Sequence, residues 1–166
     1  LKLPSTVGAA GQVLKNGSTA GTLEFGSNWF FEAKRATGSN SGNYDGSYAG
    51  GLTNLVPFNA TNYNTGNCYN TSTYLFTVPE TALYHFIAST TIDSDDSLQA
   101  WLVVNGSRNQ YTDWVQEPAD NVLCTTHLLY LAKDDTVGYH LYTGTHNAAI
   151  IDHSPHHTWF KGYKVH

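Results

Sequence analysis

At 166 residues and 18.2 kDa, the chain has one-domain length and can bury a core of its own. Eight Lys and Arg against thirteen Asp and Glu leave a net charge of −5, with only 13% charged residues, about half the usual quarter. This balance excludes a phosphate-backbone binder, the 13% aromatics exclude an acidic disordered tail, and no apolar run or lasting heptad encodes a membrane helix or coiled coil.

Residues 1–27 stand apart in composition. The chain starts Leu1-Lys2-Leu3-Pro4 and holds no Met, so it reads as a piece of something longer. Gly8 to Gly17 is rich in small residues, with Val13-Leu14 leading into the turn signal Asn16-Gly17. Leu23-Glu24-Phe25 alternates with the two-residue period of a strand. Such a segment cannot bury a core alone and should lean on the following domain or on neighbouring chains.

From Asn28 onward, short strands alternate with turn residues. Trp29–Ala33 is an apolar, β-prone run, and Gly38–Gly51 is an aperiodic loop. Asn54–Phe58 is extended, and Thr73–Pro79 is a strand closed by proline. In Leu83–Ile92, Tyr84, Phe86 and Ala88 share one face, with His85, Ile87 and Ser89 on the other. Leu98–Val104 leads into Asn105-Gly106, the strongest hairpin signal, with Tyr111–Val115 as its partner. Val122–Leu131 is a long strand, and Lys133-Asp134-Asp135 is a tight turn. In Thr136–Tyr142, residues Val137, Tyr139 and Leu141 face one side. Gly144–Pro155 reads as a loop with the apolar centre Ala149-Ile150-Ile151, and Thr158–Val165 as the last strand. Many short strands without helical periodicity or a long internal repeat indicate an antiparallel β-sandwich.

Cys68 and Cys124 lack C-x-x-C spacing, which removes zinc and thioredoxin-like readings. Both read as small, mostly buried hydrophobes, with a single disulfide left open. Four N-x-[ST] sequons, at Asn16, Asn59, Asn70 and Asn105, matter only along a secretory route.

Six pieces in order carry a resemblance to the C1q/tumour-necrosis-factor-like domain. They are Phe30-Phe31-Glu32-Ala33, Val56-Pro57-Phe58-Asn59 with Asn64-Thr65-Gly66, Tyr74–Pro79, Tyr84-His85-Phe86, Leu129-Tyr130-Leu131 before Asp134–Val137, and Trp159–Val165. Ala82 stands where that family usually has Gly, and Asp134-Asp135 where it usually has Gly-Asp. The resemblance implies a ten-stranded antiparallel jelly-roll sandwich over residues 28–166 that assembles as a homotrimer. Residues 1–27 resemble segments that precede terminal domains in phage fibre proteins, which implies an upstream fibre shaft and a place at the tip of a virion fibre.

No nucleophile elbow, P-loop, dinucleotide fingerprint or His-Glu-x-x-His motif is present, so the chain reads as non-enzymatic. No cofactor is expected. Asp93, Asp95 and Asp96 are the one candidate calcium cluster, because hard cations need several carboxylate oxygens, against a plain solvated turn. The loop carrying His153, His156 and His157 has transition-metal ligand types without ligand spacing, and His166 closes the chain. His85, His140 and Tyr142 are the candidate trimer contacts.

Tyr44, Tyr48, Tyr111, Trp114 and Glu117 are the candidate receptor-binding residues. Tyr, Ser, Gly and Asn together combine rigid amphipathic contact area with adaptable hydrogen bonds. The expected function is a trimeric host-attachment tip that binds a host-surface glycan or protein. The alternatives are a secreted C1q/tumour-necrosis-factor-like ligand for a protein receptor, and a trimerisation cap that binds nothing. A charge of −5 per copy, tripled on assembly, disfavours polyanionic receptors.

Overall fold

Two antiparallel sheets face each other across an aromatic core in the computed structural model, which describes residues 1–9, 12–17, 19–36, 43–44, 55–93, 98–115, 121–142, 149–151 and 158–165. In chain order the strands are β1 (Gln12–Asn16), β2 (Leu23–Ser27), β3 (Phe30–Lys34), β4 (Asn43–Tyr44), β5 (Ala60–Asn64), β6 (Tyr69–Asn70), β7 (Leu75–Thr77), β8 (Ala82–Asp93), β9 (Leu98–Val104), β10 (Ser107–Val115), β11 (Asn121–Leu131), β12 (Thr136–Tyr142), β13 (Ala149–Ile151) and β14 (Trp159–Lys164). One sheet runs β4-β13-β8-β14-β3-β5, with β11 paired to the other edge of β8. The second runs β10-β9-β12-β7-β6, and among the described strands β1 and β2 pair with each other and with neither sheet. This is an all-β jelly-roll sandwich. Among the described residues, no helix is long and apolar enough to cross a membrane.

The alternation in β8 places Tyr84, Phe86 and Ala88 in the core, at most 1% exposed. Val137, Tyr139 and Leu141 of β12 face them from the opposite sheet. Phe31 and Phe160 join the layers. Phe31 stacks on Tyr69 (ring centroids 4.9 Å) and Phe76 (5.0 Å) and meets Phe160 edge-on at 5.0 Å. Phe160 also reaches Phe58 (5.8 Å), Phe86 (5.9 Å) and Tyr139 (6.0 Å). The rings need space, and Gly162 supplies it: a Cβ there would lie 2.5 Å from Phe31 Cε1 and 2.7 Å from Phe86 Cδ1.

The turns carry their own chemistry. Asn105 (φ 49°) and Gly106 (φ 72°) both take the left-handed conformation that a two-residue hairpin of type I′ requires. Asn105 also ties this hairpin to the next turn, its Nδ2 donating to Asp135 Oδ1 (2.7 Å) and its Oδ1 accepting from Thr136 N (2.9 Å). Asp134 adopts φ 71° itself, so the position where the family has Gly keeps the turn with an aspartate.

Several expectations change. The polar run Ala60–Asn64 forms β5, because its backbone pairs with β3 and its side chains need little burial. Ala149-Ile150-Ile151 is strand β13, with Ile150 opposite Asp93, rather than the centre of a loop. Leu55 makes only an isolated bridge, to His140, and Val56 N donates to Tyr139 O at 2.8 Å. Among the described residues the jelly roll is divided into twelve strands, several only two or three residues long. The cysteines are free: Cys68 is buried and donates to Asn64 Oδ1 at 3.6 Å, whereas Cys124 is exposed, against the expectation that both are buried.

Truncating Phe160 removes the ring that touches both layers. Phe160→Ala should cost about 3–5 kcal/mol, the range for a buried phenylalanine, read as a lower midpoint in denaturant titration.

Burial pushes the Cys68 thiol up from 9.0 to about 11 and the Tyr84 phenol up from 10.0 to about 12, and raises Tyr69 further. These groups fold as neutral acids with raised pKa, so their stabilisation is complete below about pH 9 and is lost as pH rises through 11 and 12. Melting temperature should therefore fall on the alkaline side, and less steeply between pH 9 and 11 in Cys68→Ala.

Candidate interaction face

The outer face of the sheet containing β8 is built by the same pleat that fills the core. Cross-strand partners in a sheet share a face, so register fixes the layout. One row runs Leu128, His85, Tyr163, Phe30 across β11, β8, β14 and β3. The next runs Thr126, Ile87, Lys161, Glu32, Tyr63, reaching β5. Flanking rows place Tyr130 beside Leu83, and Cys124 beside Ser89, Trp159 and Lys34.

This face is apolar and open. Leu128 (57% exposed), Tyr130 (73%), Tyr63 (59%), Tyr163 and Phe30 all lie on it. Together with four residues of the first fourteen, they are all the exposed large hydrophobics among the described residues. Phe30 and Tyr63 pack tilted at 6.3 Å. An exposed apolar patch of this kind is a candidate interaction surface.

Polar groups on the face are held in place. His85 Nδ1 lies 2.7 Å from Tyr163 Oη, and its Nε2 lies 2.7 Å from Thr126 Oγ1. The His85 and Tyr163 rings meet edge-on at 5.1 Å. A neutral imidazole donates from one nitrogen and accepts at the other. Each hydroxyl can play either part, so the bridge closes in both tautomers. Glu32 pairs with Lys161 at 3.2 Å and accepts from Asn62 Nδ2 at 2.7 Å. Lys161 Nζ sits 4.4 Å above the Trp159 ring, a cation–π contact. Glu80, at the edge of the sandwich, pairs with Lys164, and its carbonyl accepts from the Tyr84 hydroxyl.

Of the expected trimer contacts, His85 is on this face. His140 is not: it is 5% exposed in the opposite sheet, its ring 5.3 Å from Trp101, so its side chain is already committed inside the subunit. Tyr142 is placed by its backbone opposite Gln99 on β12, also in the opposite sheet. The expected receptor-binding aromatics fall on edge strands where they are described. Tyr44 lies on β4, opposite Ala149, and Trp114 lies on β10, opposite Gln99. Tyr111 falls at a register irregularity of β10, between Arg108 and Thr112. Tyr48 and Glu117 lie outside the described residues, as do Asp95, Asp96, His153, His156, His157 and His166. Asp93 ends β8 opposite Ile150. Among the described residues, no three His, Cys, Asp or Glu group as metal ligands.

Sequence reasoning missed Leu128, Tyr130, Tyr163, Phe30 and Tyr63 as site residues. The signal was there for β11: Leu128-Leu129-Tyr130-Leu131 is apolar on both faces of a strand, and one sandwich core can take only one of them.

Residues 31–165 match the family model described as the C1q domain. Among solved structures, the globular domain of zebrafish complement 1qA protein aligns with TM-score 0.61 at 16% identity, over 84% of this chain and 98% of that one. Murine APRIL aligns with TM-score 0.58 at 12% identity, over 84% and 100%. Eiger TNF from S. frugiperda aligns with TM-score 0.61 at 13% identity, over 84% and 93%. No curated protein matches the sequence. With the family model matched from the first core strand to the last, the chain belongs to the C1q domain family.

Proposed function

We propose that this chain is the non-enzymatic receptor-binding end of a viral fibre, a homotrimer that attaches to a host-surface glycan or protein. The observation that carries the assembly is the face of Leu128, Tyr130, Tyr163, Phe30 and Tyr63, open in one copy and suited to being covered by two others. Trimers are the usual assembly of C1q/tumour-necrosis-factor-like domains. Support for the fibre comes from residues 1–27, whose strands pair with each other and not with the sandwich. Receptor contact falls to Tyr44 on β4 and to Tyr111 and Trp114 on β10, with Tyr48 and Glu117 following them in sequence. Three copies of a weak site raise apparent affinity by about 10²–10⁴ when they engage together.

The second reading is a secreted ligand for a protein receptor, favoured by the structural likeness to APRIL and Eiger TNF. It uses the same face for assembly and differs in what the edge strands touch.

Assembly is tested by sedimentation. The wild type should run as a trimer at micromolar concentration. Leu128→Asp and Tyr130→Asp should run as folded monomers with melting temperatures within a few degrees of one another, since both side chains are solvent-facing within one copy. A monomeric wild type overturns the proposal.

Attachment is tested by adsorption to host cells. Trp114→Ala and Tyr111→Ala should lower binding at least tenfold while leaving the trimer intact. Undiminished binding by both would leave a trimerisation cap, and binding to one purified protein receptor but not to glycan-bearing cells would favour the secreted ligand.

A further inference from the structure

The N-terminal hairpin is amphipathic, and among the described residues its apolar side is only partly covered, with Leu23 and Phe25 half-buried and Leu14 exposed. The register of β1 and β2 puts Leu14 opposite Phe25 and Asn16 opposite Leu23, so Leu14, Phe25 and Leu23 share one side. The other side carries Val13 together with Lys15 and Glu24, which pair at 3.5 Å, with the Lys15 stem lying over Gly26. Residues 1–3 run along the free edge of β2, where Lys2 N donates to Gly21 O (2.7 Å) and Leu23 N donates to Lys2 O (2.9 Å). The Phe25 ring packs on Gly8, and Leu1, Leu3, Val7 and Leu14 remain exposed, Val7 at 95%. A two-stranded hairpin with so little burial is marginal in water.

Its attachment says what covers it. Only Asn28 and Trp29 separate β2 from β3. Trp29 is fixed, its carbonyl accepting from Lys164 N at 2.9 Å and its ring packed against the core beside Gly66. The next residue, Phe30, already belongs to the open sheet face. The hairpin is therefore rooted at the border of that face, and an assembly closing over the face brings the roots of the copies together.

We infer that residues 1–27 fold as a collar completed by the other copies of this chain, the Leu14–Phe25–Leu23 sides of three hairpins closing on one another. This rests on the trimeric reading above. Tethering at a common root supplies the effective concentration that one marginal hairpin lacks, and the Lys15–Glu24 side stays in water. Leu3, next to the Lys2 bridge to Thr22, extends the same apolar contact.

Hydrogen exchange on the full chain tests this, with sedimentation run in parallel and the β8 and β11 amides reporting whether the sandwich is folded. In the wild-type trimer, the amides of the β1–β2 ladder should be protected. Leu14→Asp, and Leu14→Ser as the milder change, should keep the trimer and the sandwich but lose ladder protection more than tenfold. Leu128→Asp should be a folded monomer with the same loss. Ladder protection that persists in the Leu128→Asp monomer would show the hairpin to be completed within its own chain and would overturn the inference. So would unchanged protection in a Leu14→Asp trimer. A monomeric wild type would instead overturn the trimeric reading beneath it.

Discussion

The structure depends on the strict two-residue period of β8 and its neighbours. One set of side chains along β8, Tyr84, Phe86 and Ala88, is committed to the ring cluster around Phe31 and Phe160. The alternate set, His85 and Ile87, is thereby committed to the outside, in rows with Tyr163, Leu128 and Lys161. A slip of one residue would carry His85 into the rings and Phe86 into water. Core and interaction face are therefore specified by one constraint. The aromatic interlock that binds the two sheets also fixes which groups lie on the open face.

Turn chemistry bears on the choice between viral and secreted settings. Three of the four sequon asparagines already work as structural side chains. Asn59 Oδ1 accepts from Ala36 N at 2.7 Å, and Asn70 Oδ1 accepts from Ser72 N at 2.8 Å. Asn105 uses both ends of its amide on Asp135 and Thr136. Asn-Gly and Asn-x-Ser recur in hairpins and Asx turns for these reasons, so the sequons need no glycan to account for them. Sequon geometry therefore does not separate a viral from a secreted setting, and C1q domains are typically extracellular or secreted.

Legibility followed the strength of the periodic signal. Strands β8, β9, β11 and β12 were readable because one face of each is filled by residues of strong β preference. The Asn105-Gly106 turn was readable because its geometry demands left-handed residues. Strand β5 was hidden, since Ala60-Thr61-Asn62-Tyr63-Asn64 presents a polar strand whose formation is decided by its neighbour β3. His140 was misplaced because alternation predicts two faces but not what lies over the second. There Leu55 and Leu75 close over Gly138, and Trp101 stands beside the imidazole, so both sides of β12 are buried. The face itself was half visible: alternation put His85 opposite the core aromatics, while Leu128 and Tyr130 lay in the long strand Val122–Leu131 with no face assigned to them.

Division of labour follows from where the fold leaves its apolar and its polar groups. The open sheet face carries Lys161 and Lys34 against Glu32, with the Glu32–Lys161 pair neutralised locally, so copies can close on it without bringing like charges into contact. The net negative charge of the chain is therefore carried away from that contact. Edge strands β4 and β10 lie at ends of the two sheets, and β10 neighbours β11, the strand that carries Leu128 and Tyr130. In the proposed assembly, residues on β4 and β10 can change with the receptor while the β8 pleat that sets the open face stays the same.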